Sequence, residues 1–176
     1  MNFIELNTKK IDIALELRYA SKNNITGKKI FFENKCFLHQ DAYSKLLTAV
    51  EIAKSYNYKL KIFDGYRPQY VQETLWNHSP NPSFLSDPAK GSPHTRGVAI
   101  DLTLIDKKGS ELNMGTDFDD FTKKAFHVTD KISYEAKKNR SILLSIMTLS
   151  GFDFYHNEWW HYQLFDSKKY KLVKTF

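Results

Sequence analysis

Three separate stretches of the chain carry side chains of the kinds that bind metals or transfer protons. They are residues 64–68, 92–101 and 158–161. The second and third stretches contain two histidines and an aspartate, His94, Asp101 and His161, and Glu158 lies three residues before the last of these. Catalytic zinc needs such a set, namely three protein ligands, an open position for water and a nearby general base. The residue types therefore predict a hydrolytic zinc site.

The spacing of these residues sets conditions on the fold. His94 and Asp101 are seven residues apart, so on one uninterrupted strand their side chains would face opposite ways. Gly97 permits the chain to turn between them, which lets a loop histidine meet a strand carboxylate. His161 must come from another part of the fold. Because asparagine precedes the glutamate, the third stretch lacks the helical His-Glu-x-x-His motif, and we expect His156 to lie outside the metal site.

The hydrophobic pattern predicts the elements that position these residues. Apolar residues recur at helical spacing in three segments, which are 40–56, a segment with Pro68 in its first turn, and 133–150. Alternation predicts three strands, at 59–63, 98–104 and 159–164. In the second strand, Asp101 is predicted to lie on the face away from the aliphatic core. Prolines and glycines mark 77–96 as a long irregular loop of the kind that is often functional.

Composition and element order bound the fold class. With 41% hydrophobic and 15% aromatic residues and no repeat or compositional break, the chain of 176 residues is predicted to be a single domain spanning 1–176. Helices and strands are mixed without regular βαβ alternation, which indicates an α+β fold. We expect a small, mainly antiparallel sheet with flanking helices.

Several function classes are disfavoured by the same composition. The single cysteine, Cys36, excludes an internal disulfide and any cysteine-rich metal cluster, and it is interpreted as a small buried or idle thiol. The net charge of +6 comes from dispersed lysine pairs, which are typical of solvated surface and argue against a nucleic-acid partner. No apolar window is long enough for a membrane span. Since no signal peptide is evident, we expect a cytoplasmic protein, with a periplasmic location left open.

Five ordered blocks of the chain resemble one family. The blocks are 17–20 with 24–27, then 64–68, 92–104, 114–119, and finally 151–152 with 158–162. This combination resembles the D-alanyl-D-alanine dipeptidases of the vancomycin-resistance type, within the zinc D,D-peptidases, and it covers nearly the full length. The resemblance implies a Hedgehog-like zinc D,D-peptidase fold and hydrolysis of the dipeptide D-Ala-D-Ala to two D-Ala.

The resemblance also implies roles for individual residues. One zinc ion per chain would be bound by His94, Asp101 and His161. Glu158 would be the catalytic acid and base, and Arg67 would stabilise the developing oxyanion. The free amino end of the substrate would be held by three further residues, which are Tyr19, Ser92 and Asp119. The expected partner is this small dipeptide, with no membrane, nucleic acid or obligate protein partner.

Other interpretations remain open at this point. A D,D- or L,D-carboxypeptidase that trims peptidoglycan peptides would leave the amino side of its substrate open, whereas Asp119 and Tyr19 favour a dipeptidase. A non-catalytic zinc- or peptidoglycan-binding module would have no use for Glu158 or Arg67. Arg67 could instead be a structural, ion-paired arginine. His127 and Asp130 are interpreted as a solvated pair, and at least one residue of the Trp159-Trp160 pair as part of the core.

Overall fold

Seven short strands and three α-helices follow one another along residues 2–173, the part of the chain that the computed structural model describes. The helices are α1 (Gln40–Ser55), α2 (Gln69–His78) and α3 (Tyr134–Leu149). The strands are β1 (Phe3–Glu5), β2 (Ile13–Leu15), β3 (Phe37–His39), β4 (Lys59–Asp64), β5 (Ala99–Ile105), β6 (Asp153–Phe154) and β7 (His161–Gln163). The α+β class predicted from the sequence is confirmed.

The larger sheet has the strand order β2-β4-β5-β7-β6. It is a mixed sheet, because β2 and β4 run parallel while β4–β5, β5–β7 and β6–β7 run antiparallel. A separate antiparallel pair joins β1 to β3. The register sets Asp101 opposite Asp64 on one side and opposite His161 on the other. Three central strands thus deliver three titratable side chains to one level of the sheet.

Local signals account for the helix boundaries. The ring nitrogen of His39 accepts the N–H of Asp41 before α1, and the hydroxyl of Ser133 accepts the N–H of Ala136 at the start of α3. Pro68 directly precedes the first residue of α2, where its missing N–H costs nothing. The three predicted helices are therefore present: α1 and α3 lie within one residue of their predicted bounds, and Pro68 precedes α2 instead of lying in its first turn.

Strand β5 differs from its prediction in the face that carries Asp101, which is buried as well. All seven of its residues are buried, so the strand has no solvent face. Asp101 does leave the aliphatic face formed by Ile100 and Leu102, but it is only 2% exposed, because His94 and Arg67 pack around its carboxylate. The alternating pattern predicts an amphipathic strand, but β5 is a central strand. One of its faces packs on the aliphatic core, and the other packs on buried polar side chains.

The predicted strand at 159–164 is shorter than expected, since β7 contains only residues 161–163. Trp159 and Trp160 form a turn ahead of it and are both buried, at 2% and 1% exposure. The indole N–H of Trp159 donates to the hydroxyl of Thr116 at 2.8 Å. At least one tryptophan was expected in the core, and both lie there.

Two smaller expectations concern single side chains. Cys36 is a buried free thiol, as predicted. The interpretation of His127 as a solvated residue is wrong: its ring packs edge-on against Phe154, with centroids 5.1 Å apart, and burial lowers its pKa to about 4. None of the helices within residues 2–173 combines the length and apolar character needed to cross a bilayer.

Candidate active site

The structure brings His94, Asp101 and His161 together in a buried cluster. His94 Nε2 lies 3.1 Å from His161 Nδ1, and Asp101 Oδ1 lies 3.0 Å from that same Nδ1 and 3.3 Å from His94 Nε2. The three potential ligand atoms all lie within 4.8 Å of one another. The convergence expected from the sequence is therefore present.

Each of the three residues owes its place to a different element. Asp101 and His161 are cross-strand neighbours on β5 and β7. His94 begins a short 3₁₀ turn, His94–Arg96, that closes the long loop after α2. Gly97 follows this turn with a φ of +69°, a left-handed conformation that reverses the chain into β5. Gly97 thus lets a loop histidine reach a strand carboxylate, as the spacing predicts.

The outer nitrogens of both histidines are held by acceptors. His94 Nδ1 lies 2.7 Å from the carbonyl oxygen of Gly65, and His161 Nε2 lies 3.1 Å from Oε1 of Gln163. Because an oxygen acceptor requires an N–H, the inward nitrogen of each ring is left with a lone pair. Two lone pairs and a carboxylate oxygen that face each other at 3.0–3.3 Å repel unless a cation lies between them. The donor set therefore fits a divalent metal with mixed nitrogen and oxygen ligands.

The cluster also favours an ionised aspartate. Burial opposes ionisation of Asp101, but when no metal is bound a proton shared with His94 or His161 can take the place of the cation, and these histidines hold the pKa of its carboxyl well below the usual range. The ligand that carries the negative charge is thus kept in the deprotonated form that metal binding requires.

Glu158 borders the cluster without joining it. Its Oε2 lies 3.9 Å from His161 Nδ1, and the side chain is 5% exposed. Burial raises the pKa of Glu158 to about 8. Its position in the turn before β7 places the carboxyl in the wall of the same cavity as the three potential ligands.

Arg67 lies in the turn between β4 and α2, with three edges of its guanidinium held. Its Nε donates to Asp64 Oδ2 at 2.8 Å, its Nη1 to Gln72 Oε1 at 2.9 Å, and its Nη2 to Asp101 Oδ2 at 3.3 Å. Its Cζ also lies 4.8 Å from the centre of the Tyr19 ring. These contacts within residues 2–173 use three of the five N–H groups, so two are left for the cavity that Arg67 lines. The ion-paired and the catalytic interpretations of this residue are compatible.

Tyr19 and Asp119 form a second polar group in the cavity wall. The Tyr19 hydroxyl donates to Asp119 Oδ1 at 3.0 Å, and the backbone N–H of Ile25 donates to Asp119 Oδ2 at 3.4 Å. Burial raises the pKa of Asp119 to about 7, and its φ of +63° is unusual for a residue other than glycine. Such a partly compensated carboxyl is suited to receive a cation.

Ser92 has a partner of its own. Its hydroxyl accepts the N–H of Thr95 at 3.2 Å, which caps the turn that carries His94. Ser92 lines the cavity as well, so it can support the turn and still face a ligand.

These groups surround a cavity of about 460 Å³. Its rim includes Phe84, which stacks on Phe121 with ring centroids 4.9 Å apart. The carbonyl of Ser83 accepts hydrogen bonds from Tyr155 and Asn157, both at 3.0 Å. The irregular loop predicted after α2 thus forms part of a cavity wall, which is tied to the turn before β7.

Sequence reasoning missed Gln72 and Gln163, the two glutamines that hold site residues. The sequence does contain a signal for Gln72. It lies three residues before Leu75 on the buried face of α2, where a polar side chain needs a hydrogen-bond partner. Gln163 alternates with His161 on β7 and so shares its face.

Fold and site together define a class. A His-Asp-His cluster with inward lone pairs, a buried carboxyl beside it and an arginine facing the same cavity are the parts of a metal-dependent hydrolase.

Comparison with known proteins specifies the family. Residues 1–175 match the Peptidase_M15 family model, described as D-ala-D-ala dipeptidase. A protein from Escherichia coli named D-alanyl-D-alanine dipeptidase is 41% identical over 162 residues, which cover 92% of this chain and 84% of that protein. Proteins of the same name from Enterococcus faecium and Enterococcus faecalis are 34% and 30% identical, over 86% and 93% of this chain and 85% and 92% of their own lengths. The chain belongs to the D-Ala-D-Ala dipeptidase family and is a metallopeptidase, so the resemblance seen in the sequence is confirmed.

Proposed function

We propose that this chain is a zinc-dependent dipeptidase that hydrolyses D-Ala-D-Ala to two molecules of D-alanine. One observation carries the proposal: an inward ring nitrogen from each of two histidines and a carboxylate oxygen converge beside the buried carboxyl of Glu158. The relatives named D-alanyl-D-alanine dipeptidase support the choice of substrate. A zinc ion held by His94, Asp101 and His161 would supply a Lewis acid and lower the pKa of water at its open position.

The residues around this position would carry the proton transfers and the charge. Glu158 accepts the proton of the attacking water and returns it to the amine that leaves when the peptide bond breaks. Arg67 directs its two remaining N–H groups at the carbonyl oxygen on which negative charge develops. Because Arg67 is already held by Asp64, Gln72 and Asp101, little reorganisation is required when that charge appears.

Selection of a free dipeptide would depend on how the site binds the amino end of the substrate. The carboxyl of Asp119 faces the substrate ammonium with the hydroxyls of Tyr19 and Ser92 beside it, and this pairing supplies the countercharge that Asp119 lacks. A peptide whose amino end is blocked cannot form this pair. The proposal extends to the Hedgehog-like form of the fold for the single domain 1–176, which the resemblance of the five sequence blocks supports.

A substrate panel tests this function. Purified, zinc-loaded protein is incubated with D-Ala-D-Ala, N-acetyl-D-Ala-D-Ala and a longer peptide ending in D-Ala-D-Ala, and release of D-alanine is measured without added protein or nucleic acid. We expect the free dipeptide to be cleaved much faster than the blocked and longer peptides, and this cleavage to be lost on chelation and recovered on zinc addition. Preference for the blocked or longer peptides would indicate a carboxypeptidase, and no cleavage with zinc bound would indicate a binding module.

A further inference from the structure

Gln72 is a buried amide that contacts both the site and the cavity rim. It is the fourth residue of α2 and is 0% exposed. Its Oε1 accepts from Arg67 Nη1 at 2.9 Å, and its Nε2 donates to the carbonyl oxygen of Ser86 at 2.8 Å. One side chain therefore joins the guanidinium to the segment that carries Phe84 and lines the cavity.

Packing alone does not account for an amide at this place. The neighbouring residues Val71 and Leu75 are apolar and 0% exposed, and a residue such as methionine has nearly the volume of glutamine. A buried amide costs free energy unless its hydrogen bonds are made. The rim is also attached independently, because Gln69 Nε2 donates to the carbonyl oxygen of Pro88 at 3.0 Å. The contact that distinguishes Gln72 from Gln69 is the one with Arg67.

The charge of Gln72 matters for that contact. Two carboxylates, Asp64 and Asp101, already hold the Nε and Nη2 edges of the guanidinium. A third carboxylate at Nη1 would add another negative charge beside the carbonyl oxygen that Arg67 is proposed to stabilise. A neutral amide orients this edge and leaves the positive charge available to the substrate.

We propose that Gln72 is a positioning residue, which fixes the plane of the Arg67 guanidinium so that its free N–H groups face the reacting carbonyl. The inference rests on the proposed function, specifically on the role of Arg67. Since the oxygen of the tetrahedral state needs correctly placed donors, a misplaced Arg67 lowers the rate of the chemical step more than it weakens binding of the dipeptide.

The test compares Gln72→Met with Gln69→Met in zinc-loaded protein. For Gln72→Met we expect kcat for D-Ala-D-Ala to fall by about 10- to 100-fold, with KM changed by less than about threefold and with zinc content unaltered. Gln69→Met removes a rim hydrogen bond from the same helix but leaves Arg67 untouched, so its kcat should stay within about threefold of the parent. Equal losses in both variants, or full activity of Gln72→Met, would overturn the inference.

A double-mutant cycle separates this inference from the proposed function. If Gln72 acts through Arg67, adding Gln72→Met to Arg67→Met should lower kcat by no more than about twofold further. Independent, multiplying losses would overturn the positioning role. If Arg67→Met itself retains full activity, the proposed role of Arg67 fails, and the inference about Gln72 fails with it. Should Gln72→Met not fold, Gln72→Asn keeps the amide but is one methylene too short to span both partners; the same kcat loss is expected, and full activity contradicts it.

Discussion

At the scale of single residues, the two carboxylate oxygens of Asp101 contact different groups. Oδ1 faces the inward nitrogens of His94 and His161, and Oδ2 accepts from Arg67 Nη2. Asp101 therefore connects the potential metal ligands His94 and His161 to Arg67, and all four residues line the same cavity.

Asp119 is a residue at which function and stability are predicted to conflict. Burial raises its pKa to about 7 from an ordinary value of 3.8, so the unfolded chain loses this proton at lower pH than the folded one. The folded state is therefore penalised as pH rises through the window from about 4 to 7, and the penalty is complete above it. A shift of this size corresponds to about 4 kcal/mol.

Asp119→Asn should consequently stabilise metal-free protein while harming catalysis. Allowing about 1 kcal/mol for the lost hydrogen bond from Ile25, we expect the free energy of unfolding to rise by about 2–3 kcal/mol at pH 8 and not to rise at pH 4. The same variant should lose far more activity on D-Ala-D-Ala than on the N-acetylated peptide. Denaturant unfolding at the two pH values and the two rate measurements check this. A destabilised variant at pH 8 would show that Asp119 is already compensated, and equal activity losses would remove the amine-anchor role.

At the scale of elements, the turn from His94 into β5 depends on Gly97. A Cβ at this position would lie 2.1 Å from Cε1 of Phe3, and the residue has a φ of +69°. Phe3 has little room to yield, since its ring packs edge-on against Tyr66 with centroids 5.4 Å apart. Any larger residue must therefore displace either the β1 side chain or the turn that carries His94.

Gly97→Ala should lower the free energy of unfolding by about 2–4 kcal/mol, because strain in the left-handed region adds to overpacking. It should also weaken zinc binding, since the turn that places His94 shifts. Gly109→Ala is the matched control: its φ is +83°, but a Cβ there would meet nothing within 4 Å. For this control we expect the free energy of unfolding to fall by only about 1–2 kcal/mol and zinc binding to be normal. Unchanged zinc affinity in Gly97→Ala, measured by competition with a chelator, would contradict the link between this turn and the metal site.

Helices and strands differ in how far the sequence predicts them. The helices α1 and α3 follow from periodicity and capping residues within a few positions, which are local signals. The second buried face of β5 could not be read from its alternation, because the loop and strand residues that cover Asp101 are distant in sequence. His127 was misjudged for the same reason, as its burial comes from Phe154 in β6.

The sequence predicts the residues of the candidate site better than it predicts the side chains that hold them in place. The residue types of His94, Asp101, His161 and Glu158 could be matched to a catalytic metal site, and the family resemblance added the role of Arg67. Neither source indicates which polar side chains orient these groups. Gln72 is an ordinary helical glutamine in the sequence, and only the packing of α2 against the site sets it apart from Gln69.

At the scale of the whole molecule, the acidic groups of the site contrast with the basic composition of the chain. The chain carries +6 overall, yet the buried site collects four carboxyl groups, which belong to Asp64, Asp101, Asp119 and Glu158. Arg67, which is also buried, lines the cavity with Asp101, Asp119 and Glu158, and its Nε donates to Asp64. A divalent cation between His94, Asp101 and His161 would favour the ionised forms of Asp119 and Glu158, whose pKa values burial raises, so metal binding and folding should favour each other.

The most direct test of the central claim is a paired measurement of bound zinc and D-alanine release in Glu158→Gln. Glutamine keeps the shape of the side chain but cannot accept the proton from water. We predict about one zinc ion per chain, as in the parent protein, and a fall in kcat for D-Ala-D-Ala of about 10²- to 10⁴-fold. Full activity with zinc bound would contradict the claim that Glu158 transfers the proton, and loss of zinc together with activity would instead make Glu158 part of the metal site.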